Sequence, residues 1–225
     1  MTLGTVKVPP KFEQLFSQAE DYVKNYFSSF LRNPQAGTIT IGGERYILVR
    51  AASMSVYFFD HIKNMYPALS EQESVEAAYS VLFDIAHTIG KNDAAAFHKA
   101  TYVSDPIAKL ATGPIHFAYS GWAFVDIHSE SILTPDENYY LLYDHPNSFE
   151  ADEWLTHRGK TTFSVCFMNA GYSAGWCEES FGIELQTREV MCRAKGDPHC
   201  RFIMAPPAKI QERVNTYFAN HTKTP

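Results

Sequence analysis

The chain has 225 residues, of which 45% are hydrophobic and sixteen are Phe, so it can bury a full core in one large domain without disulfides. Its net charge is −6, and the absence of any Lys/Arg-rich run argues against direct nucleic-acid binding by this chain. No stretch approaches the roughly 18 apolar residues of a membrane span, and the N-terminus lacks the apolar region of a signal peptide, so we expect a cytoplasmic protein.

The N-terminal part predicts one helix followed by one hairpin. Residues 12–30 place apolar and aromatic side chains at three- and four-residue steps, which predicts an amphipathic helix. Its aromatic stripe serves either core packing or a dimer surface. The sequence GTITIGGERYILV (37–49) alternates around Gly42 and Gly43, a pattern that favours a β-hairpin.

Three further helices are expected next, over residues 51–65, 71–89 and 94–110, with Gly90 ending the second. From residue 113 the pattern changes, because aromatic and branched residues become dense. This part of the chain predicts the following elements: long strands over 113–133 and 137–145, a tightly packed small-residue helix over 166–181, a final hairpin from 182–192 and 199–205, and a last helix over 208–220. The order of elements predicts an α+β fold with an antiparallel sheet and flanking helices.

The four cysteines concentrate near the end of the chain. Cys192 and Cys200 bracket the turn sequence Gly-Asp-Pro, and Cys166 precedes the small-residue helix. In a reducing compartment such cysteines are metal ligands or inert core residues more often than disulfides. From spacing alone, the fourth ligand of a zinc site is one of three residues, namely Cys177, Glu189 and His199, and a catalytic role of Cys166 is a further alternative.

The segment CFMNAGYSAGWCEESFGIELQTREVMCRAKGDPHCRFIMAPP (166–207) resembles the C-terminal half of a vinyl-reductase-type sensor domain. More narrowly, it resembles the N-terminal effector-binding domain of XylR/DmpR-type bacterial activators of aromatic catabolism. The matching features are Cys166, the small-residue helix, the Glu189-x-x-Cys192 spacing, Gly196-Asp197 and Cys200. The hairpin region GTITIGGERYILVRAASMSVYFF (37–59) is also similar, so the resemblance covers most of residues 37–206.

The resemblance implies a structural zinc held by three Cys and one Glu, which by position are Cys166, Glu189, Cys192 and Cys200. A site with four protein ligands leaves no open position for chemistry. Glu189 and Cys192 are three residues apart and would face opposite sides of a regular strand. We therefore expect a bulge or turn around residues 190–191.

The resemblance also implies a mostly apolar effector pocket, for which the candidates are His116, Phe117, Trp122, Tyr143, His145, Tyr172, Trp176 and Phe181. Phe117 stands where the family has its phenol-binding His, and His145 stands where the family has a Trp. The polar pair that binds phenol is therefore not preserved. His145 is the first candidate for a polar contact and His116 the second, while core packing is the alternative for each of these residues.

Taken together, the sequence predicts a non-enzymatic, ligand-sensing regulatory domain that binds a small aromatic or apolar molecule. Residues 1–36 are expected to form a helical dimerisation segment, 37–206 the sensing domain, and 207–225 a linker helix toward an output module such as a transcription activator or a kinase. The first hairpin is expected to join in homodimerisation. The alternatives are an enzyme of the vinyl-reductase superfamily acting on a tetrapyrrole-like substrate, although the chain has no G-x-G-x-x-G or P-loop, and a non-catalytic assembly module.

Overall fold

A mainly antiparallel five-stranded sheet with helices on both faces organises residues 3–221, the part of the chain that the structure, a computed structural model, describes. Its strands are β1 (Val6–Lys7), β5 (Val125–Ile127), β6 (Leu141–His145), β7 (Gln186–Met191) and β8 (Cys200–Ala205). They lie in the spatial order β1-β5-β6-β8-β7, with β1 parallel to β5 and the other neighbouring pairs antiparallel. The predicted α+β class, with an antiparallel sheet and flanking helices, is confirmed.

The main core lies between one face of this sheet and six helices. These are α1 (Glu13–Ser28), α2 (Phe58–Met65), α3 (Glu71–Thr101), α4 (Pro106–Tyr119), α5 (Phe149–Arg158) and α6 (Phe167–Phe181). A π-helical turn, Ser53–Tyr57, leads into α2, so the helix predicted over 51–65 is present. The predicted helices over 12–30 and 166–181 correspond to α1 and α6.

A seventh helix, α7 (Pro207–His221), covers the opposite face of the sheet, where Ile210 and Tyr217 pack in a second apolar cluster. An ion pair beneath it joins β6 to β8. Arg201 binds the Asp144 carboxylate through two hydrogen bonds, from Nε to Oδ1 at 2.6 Å and from Nη2 to Oδ2 at 2.8 Å, and its Nη1 donates to the Tyr217 hydroxyl at 3.2 Å. The predicted tail helix is thus present and anchored to the sheet.

The N-terminal hairpin is a separate three-stranded sheet of β2 (Leu31–Asn33), β3 (Thr38–Ile41) and β4 (Glu44–Tyr46). Gly42 and Gly43 make the turn between β3 and β4, with φ of 61° and 86°, a region that glycine enters without steric cost. The predicted hairpin is confirmed, and its pairing ends at Tyr46.

The long strand predicted over 113–133 is wrong. Its first seven residues are the C-terminal half of α4, and β5 takes up three of the rest. Asp105 caps α4 by accepting a hydrogen bond from the Ala108 amide at 2.8 Å, and Pro106 occupies the first turn, where proline is tolerated. Residues on nearly every side of the second half of α4 are buried, so the sequence lacks helical periodicity and resembles a buried strand.

The predicted helix ends around Gly90 and across 94–110 are also wrong. Helix α3 runs without interruption through Gly90 to Thr101, and the chain then turns at Tyr102, a residue with φ of 57°, before α4 begins. Gly90 is required for packing, because a Cβ there would lie 2.3 Å from the Tyr172 carbonyl oxygen. A glycine needed for close helix contact cannot be distinguished by sequence from one that caps a helix.

Residues 1–2 and 222–225, the outer ends of the predicted segments 1–36 and 207–225, lie outside the described residues. Among the helices within 3–221, none has both the length and the apolar composition that crossing a membrane requires.

Candidate functional site

Three cysteines and one glutamate converge where α6, β7 and β8 meet. Cys166 precedes the first turn of α6, Glu189 lies on β7, Cys192 follows β7, and Cys200 begins β8. Their three Sγ atoms and a Glu189 carboxylate oxygen all lie within 4.8 Å of one another. Donor atoms around a tetrahedral zinc with Zn–S of about 2.3 Å are roughly 3.8 Å apart, so the cluster has the size of such a site.

A bulge in β7 turns Glu189 and Cys192 toward the same point. Glu189 pairs with Phe202 and Met191 with Arg201, so that Val190 is the extra residue of the strand. The predicted irregularity around residues 190–191 is therefore present.

The turn between β7 and β8 brings Cys192 and Cys200 together. The Asp197 carboxylate accepts a hydrogen bond from the Cys192 amide at 2.7 Å, and Gly196 has a φ of 108° that favours glycine. The Arg193 amide donates to the Cys200 sulfur at 3.4 Å.

The cluster is not a disulfide. The closest sulfurs, those of Cys166 and Cys200, are 3.4 Å apart, compared with about 2.05 Å in an S–S bond. All four cysteines of the chain are free and buried.

Electrostatics also make this cluster suitable for a cation. Burial raises the pKa values of Glu189 and of the Cys166 thiol, while hydrogen bonds from the Cys166 and Cys200 thiols lower the pKa of Cys192. Glu189 Oε2 accepts from the Cys166 amide at 3.0 Å, but its Oε1 is buried and has no hydrogen-bond partner. A buried carboxylate oxygen in this condition is costly unless a proton or a metal ion satisfies it.

The two other candidate fourth ligands lie elsewhere. Cys177 is on α6, where it lines a cavity next to Trp176. His199 points its Nε2 at the Asp144 carboxylate, 3.2 Å away on the α7 side of the sheet. Of the three alternatives that spacing left open, the structure brings Glu189 to the thiols.

Residues from α5 and the loop before it support the cluster from behind, and sequence reasoning missed them. The Ser148 hydroxyl lies 3.2 Å from the Cys166 sulfur and accepts a hydrogen bond from Asn169 Nδ2 at 2.7 Å. The buried Glu150 carboxylate accepts from the Met168 and Asn169 amides at the start of α6, and burial raises its pKa to about 8. No spacing in the sequence distinguishes Glu150 from a surface acid.

Seven of the eight predicted pocket residues form a connected aromatic cluster between α4, α6 and β6. The ring contacts, between centroids 4.6–5.4 Å apart except for Phe117–Trp122 at 5.5 Å and Tyr172–Trp176 at 6.2 Å, join His116, Trp176, Tyr172, Trp122, Phe117, His145 and Tyr143. Phe181 lies apart and packs on Tyr139.

His116 and Phe117 stand on a helix, so the expectation that adjacent residues face opposite sides does not apply to them. His116 Nδ1 lies 3.1 Å from the Tyr172 hydroxyl, which also donates to Asp93 at 2.9 Å. This proton arrangement leaves His116 Nδ1 as a donor and its Nε2 as a buried atom without a partner. Asp93, in the second half of α3, carries no signal in the sequence.

His145 is fully buried, and neither of its ring nitrogens has a hydrogen-bond partner. Burial lowers the pKa values of both His116 and His145 to about 3, so both imidazoles are neutral.

A cavity of about 30 Å³ opens inside this cluster. Its walls come from α4, β5, β6 and α6: Gly113, Pro114, Phe117, Val125, Leu141, Tyr143, Tyr172, Ser173, Trp176 and Cys177. The sequence did not single out Gly113, Pro114 or Ser173. The cavity and the cysteine cluster share α6, which carries Cys166 at its N-terminus and Trp176 three turns later.

Residues 147–206 match the family model of the vinyl-4-reductase domain. This segment is a vinyl-reductase-type domain. All four members of the Cys/Glu cluster lie within it, together with α5, α6 and the β7–β8 hairpin. The helix α4 and the strands β5 and β6, which supply the other half of the cavity, precede the matched segment.

Two curated relatives extend the similarity beyond the matched segment. The phenol regulator MopR of Acinetobacter guillouiae is 22% identical over 195 residues, which are 87% of this chain and 33% of that protein. The transcriptional regulatory protein XylR of Pseudomonas putida is 22% identical over 167 residues, 74% of this chain and 28% of that protein. The chain thus spans about a third of the length of these relatives.

A solved structure shares the fold. The crystal structure of the phenol-responsive sensory domain of the transcription activator PoxR with phenol superposes with a TM-score of 0.70 at 22% identity, covering 90% of this chain and 96% of that one. The predicted resemblance to vinyl-reductase-type sensor domains of XylR/DmpR-type activators is confirmed by this fold, by the family match over 147–206 and by the two relatives.

Proposed function

We propose that this chain is a ligand-sensing regulatory domain that binds a small aromatic or apolar molecule in the cavity between α4, α6 and β6. The observation that carries the proposal is the enclosed aromatic cavity built on the same helix as a Cys/Glu cluster. Small-molecule sites are concave and mostly apolar, with few polar groups, and this cavity has those properties. The similarity to a phenol regulator and to a phenol-responsive sensory domain supports the same class of ligand.

Effector binding would require the cavity to expand. At about 30 Å³ it is far smaller than the roughly 150 Å³ of an engineered cavity that accepts benzene, so the described arrangement is closed. A ring that enters must separate α4 from α6 or from β6. Because a ligand stabilises whichever arrangement it binds better, occupancy would shift the population toward the expanded state.

The second part of the proposal is a structural zinc ion bound by Cys166, Glu189, Cys192 and Cys200. The donor set fits because it offers three thiols and one partnerless carboxylate oxygen within the span of a tetrahedral site. Bound there, zinc supplies four bonds that join the start of α6 to the β7–β8 hairpin. Four protein donors leave no position for a substrate, which favours a structural role and a sensor over an enzyme.

Metal analysis tests the zinc site directly. Purified protein should contain about one zinc per chain, and Glu189→Ala should lower zinc retention. Cys177→Ser is the matched control, since that thiol lies outside the cluster. Zinc loss in Cys177→Ser with retention in Glu189→Ala would contradict the assignment.

The position of α7 supports the proposal of a linker to an output module. This helix follows directly from β8, whose first residue is Cys200, and Arg201 ties it to the sheet through Tyr217. A change in the β6–β8 pair would therefore reach α7 within one residue of the cluster. In the cytoplasm, a transcription activator or kinase following residues 207–225 would receive this change.

The N-terminal helix and the first hairpin are proposed to mediate a homodimer. Phe30 and Leu31, between α1 and β2, are 50% and 63% exposed, and a run of apolar residues after β4 is also exposed. Contiguous exposed apolar surface is typical of an interaction site.

Calorimetric titration of the zinc-containing chain with phenol and toluene tests ligand sensing. We expect saturable binding of at least one of these compounds at one site per chain. A folded, zinc-loaded protein that binds neither would contradict the proposed function.

A further inference from the structure

The polar groups of the aromatic cluster are not equally placed to meet a ligand. Among residues 3–221, several buried polar side-chain atoms lack a hydrogen-bond partner, including His116 Nε2, both ring nitrogens of His145, and the Tyr143 hydroxyl. Of all these atoms, the Tyr143 hydroxyl alone belongs to a residue that lines the cavity. The two histidines stand behind the lining, His116 against Trp176 and His145 against Phe117.

Tyr143 is held in this position by the sheet. It lies in the middle of β6, opposite Phe202 of β8, with which its ring stacks at 5.1 Å between centroids. The side chain is 1% exposed. A buried hydroxyl without a partner is costly, and a ligand atom that bonds to it removes that cost.

The lining carries no charged side chain to receive an ionised ligand. Burial keeps its titratable groups neutral, since it raises the pKa of Tyr143 and raises the pKa of Cys177 to about 12. A carboxylate or an ammonium group would lose its hydration in this cavity without gaining a counter-charge. Ser173, also in the lining and close to Tyr143, adds a second neutral hydroxyl at the same end.

We propose that Tyr143 is the specificity-determining residue of the cavity, and that its hydroxyl hydrogen-bonds the one polar oxygen of an uncharged, single-ring effector. The other walls, which include Phe117, Trp176 and Val125, meet the apolar part of the ring. This inference rests on the proposed sensing function and names its ligand class: a neutral ring with a hydroxyl, carbonyl or ether oxygen.

The test compares Tyr143→Phe with Tyr139→Phe in calorimetric titrations of the zinc-containing chain with phenol, toluene and benzoate. Tyr139 is a matched control, because it is equally buried but lies outside the lining and bonds to Met204 Sδ at 3.7 Å. We expect Tyr143→Phe to weaken phenol binding about tenfold and to leave toluene binding unchanged, as the loss of one buried hydrogen bond predicts. Tyr139→Phe should change neither affinity.

Several results would overturn the inference. Phenol affinity in Tyr143→Phe within twofold of the unmodified chain would show that the hydroxyl does not bind the ligand, and benzoate binding as tight as phenol binding would refute the neutral ligand class. If neither phenol nor toluene binds the unmodified, folded chain, the proposed sensing function fails and the inference fails with it.

A ligand-free measurement adds an independent check. Because the Tyr143 hydroxyl has no internal partner, Tyr143→Phe should melt at the same temperature as the unmodified chain or higher. A fall of several degrees, or failure to fold, would show that the hydroxyl is already bonded within the protein and would overturn the proposal.

Discussion

Replacing His116 with glutamine is expected to flatten the acid side of the stability–pH curve. His116 is 1% exposed, packs on Trp176 and shares a hydrogen bond with Tyr172, and burial lowers its pKa from about 6.5 to about 3. The folded protein therefore holds this imidazole neutral at a pH where the unfolded chain protonates it. Its contribution to stability is complete above pH 6.5 and is lost as the pH falls toward 3.

The magnitude follows from the two pKa values. One pKa unit corresponds to about 1.4 kcal/mol, so between pH 7 and pH 5 the protonation of one such histidine in the unfolded chain lowers the free energy of unfolding by about 2 kcal/mol. His145, with the same pKa, contributes a similar amount. For a domain whose total stability is roughly 5–15 kcal/mol, acid sensitivity of this size is easily measured.

The assay is urea unfolding at a series of pH values from 5 to 7.5, with tryptophan fluorescence as the probe. His116→Gln should lose about 2 kcal/mol less than the unmodified chain over this range, whatever its stability at pH 7. Both proteins keep the same Cys and Glu donors, so any loss of metal in acid cancels in the comparison. Parallel curves would refute the reasoning, and His61→Gln, an exposed imidazole on α2, controls for the loss of a histidine in general.

Two further substitutions test the packing that positions the site. Gly175→Ala should lower the free energy of unfolding by about 2 kcal/mol in urea titrations, because the new Cβ would lie 2.1 Å from the His87 carbonyl oxygen and force α3 and α6 apart; an unchanged or higher stability would contradict this close approach. Asp144→Ala should cost about 3 kcal/mol by leaving the mostly buried Arg201 without its partner, and should speed proteolytic cleavage within 207–221; a cleavage rate equal to that of the unmodified chain would show that the ion pair does not hold α7.

The metal cluster was largely predictable because its geometry follows from local sequence. The turn around Gly196 and Asp197 brings the two flanking cysteines together through standard turn chemistry, and the spacing of Glu189 and Cys192 requires the bulge that is present. The choice of Glu189 over Cys177 and His199 came from the resemblance and not from the spacing. The structure places Glu189 at the thiols.

The cavity was less predictable, since it depends on how helices pack. Helix α4 is buried on nearly all sides and carries Pro114, so its second half has no helical period and resembles a strand. The role of Gly90 could not be predicted because a close contact with Tyr172, across 82 residues of sequence, leaves no local signature. Aromatic residues could be chosen as candidates, but which polar atom faces the hollow is decided by tertiary contacts.

Mass spectrometry under native conditions tests the central claim, that this chain senses a small neutral ring compound, most directly. Protein purified without added ligand is measured first, and the same protein is then measured after addition of phenol. The account predicts a mass that includes one zinc ion, and either a co-purified uncharged ring compound or a new adduct of one phenol per chain. A zinc-loaded, folded chain that carries no such compound and forms no adduct at millimolar phenol would contradict it.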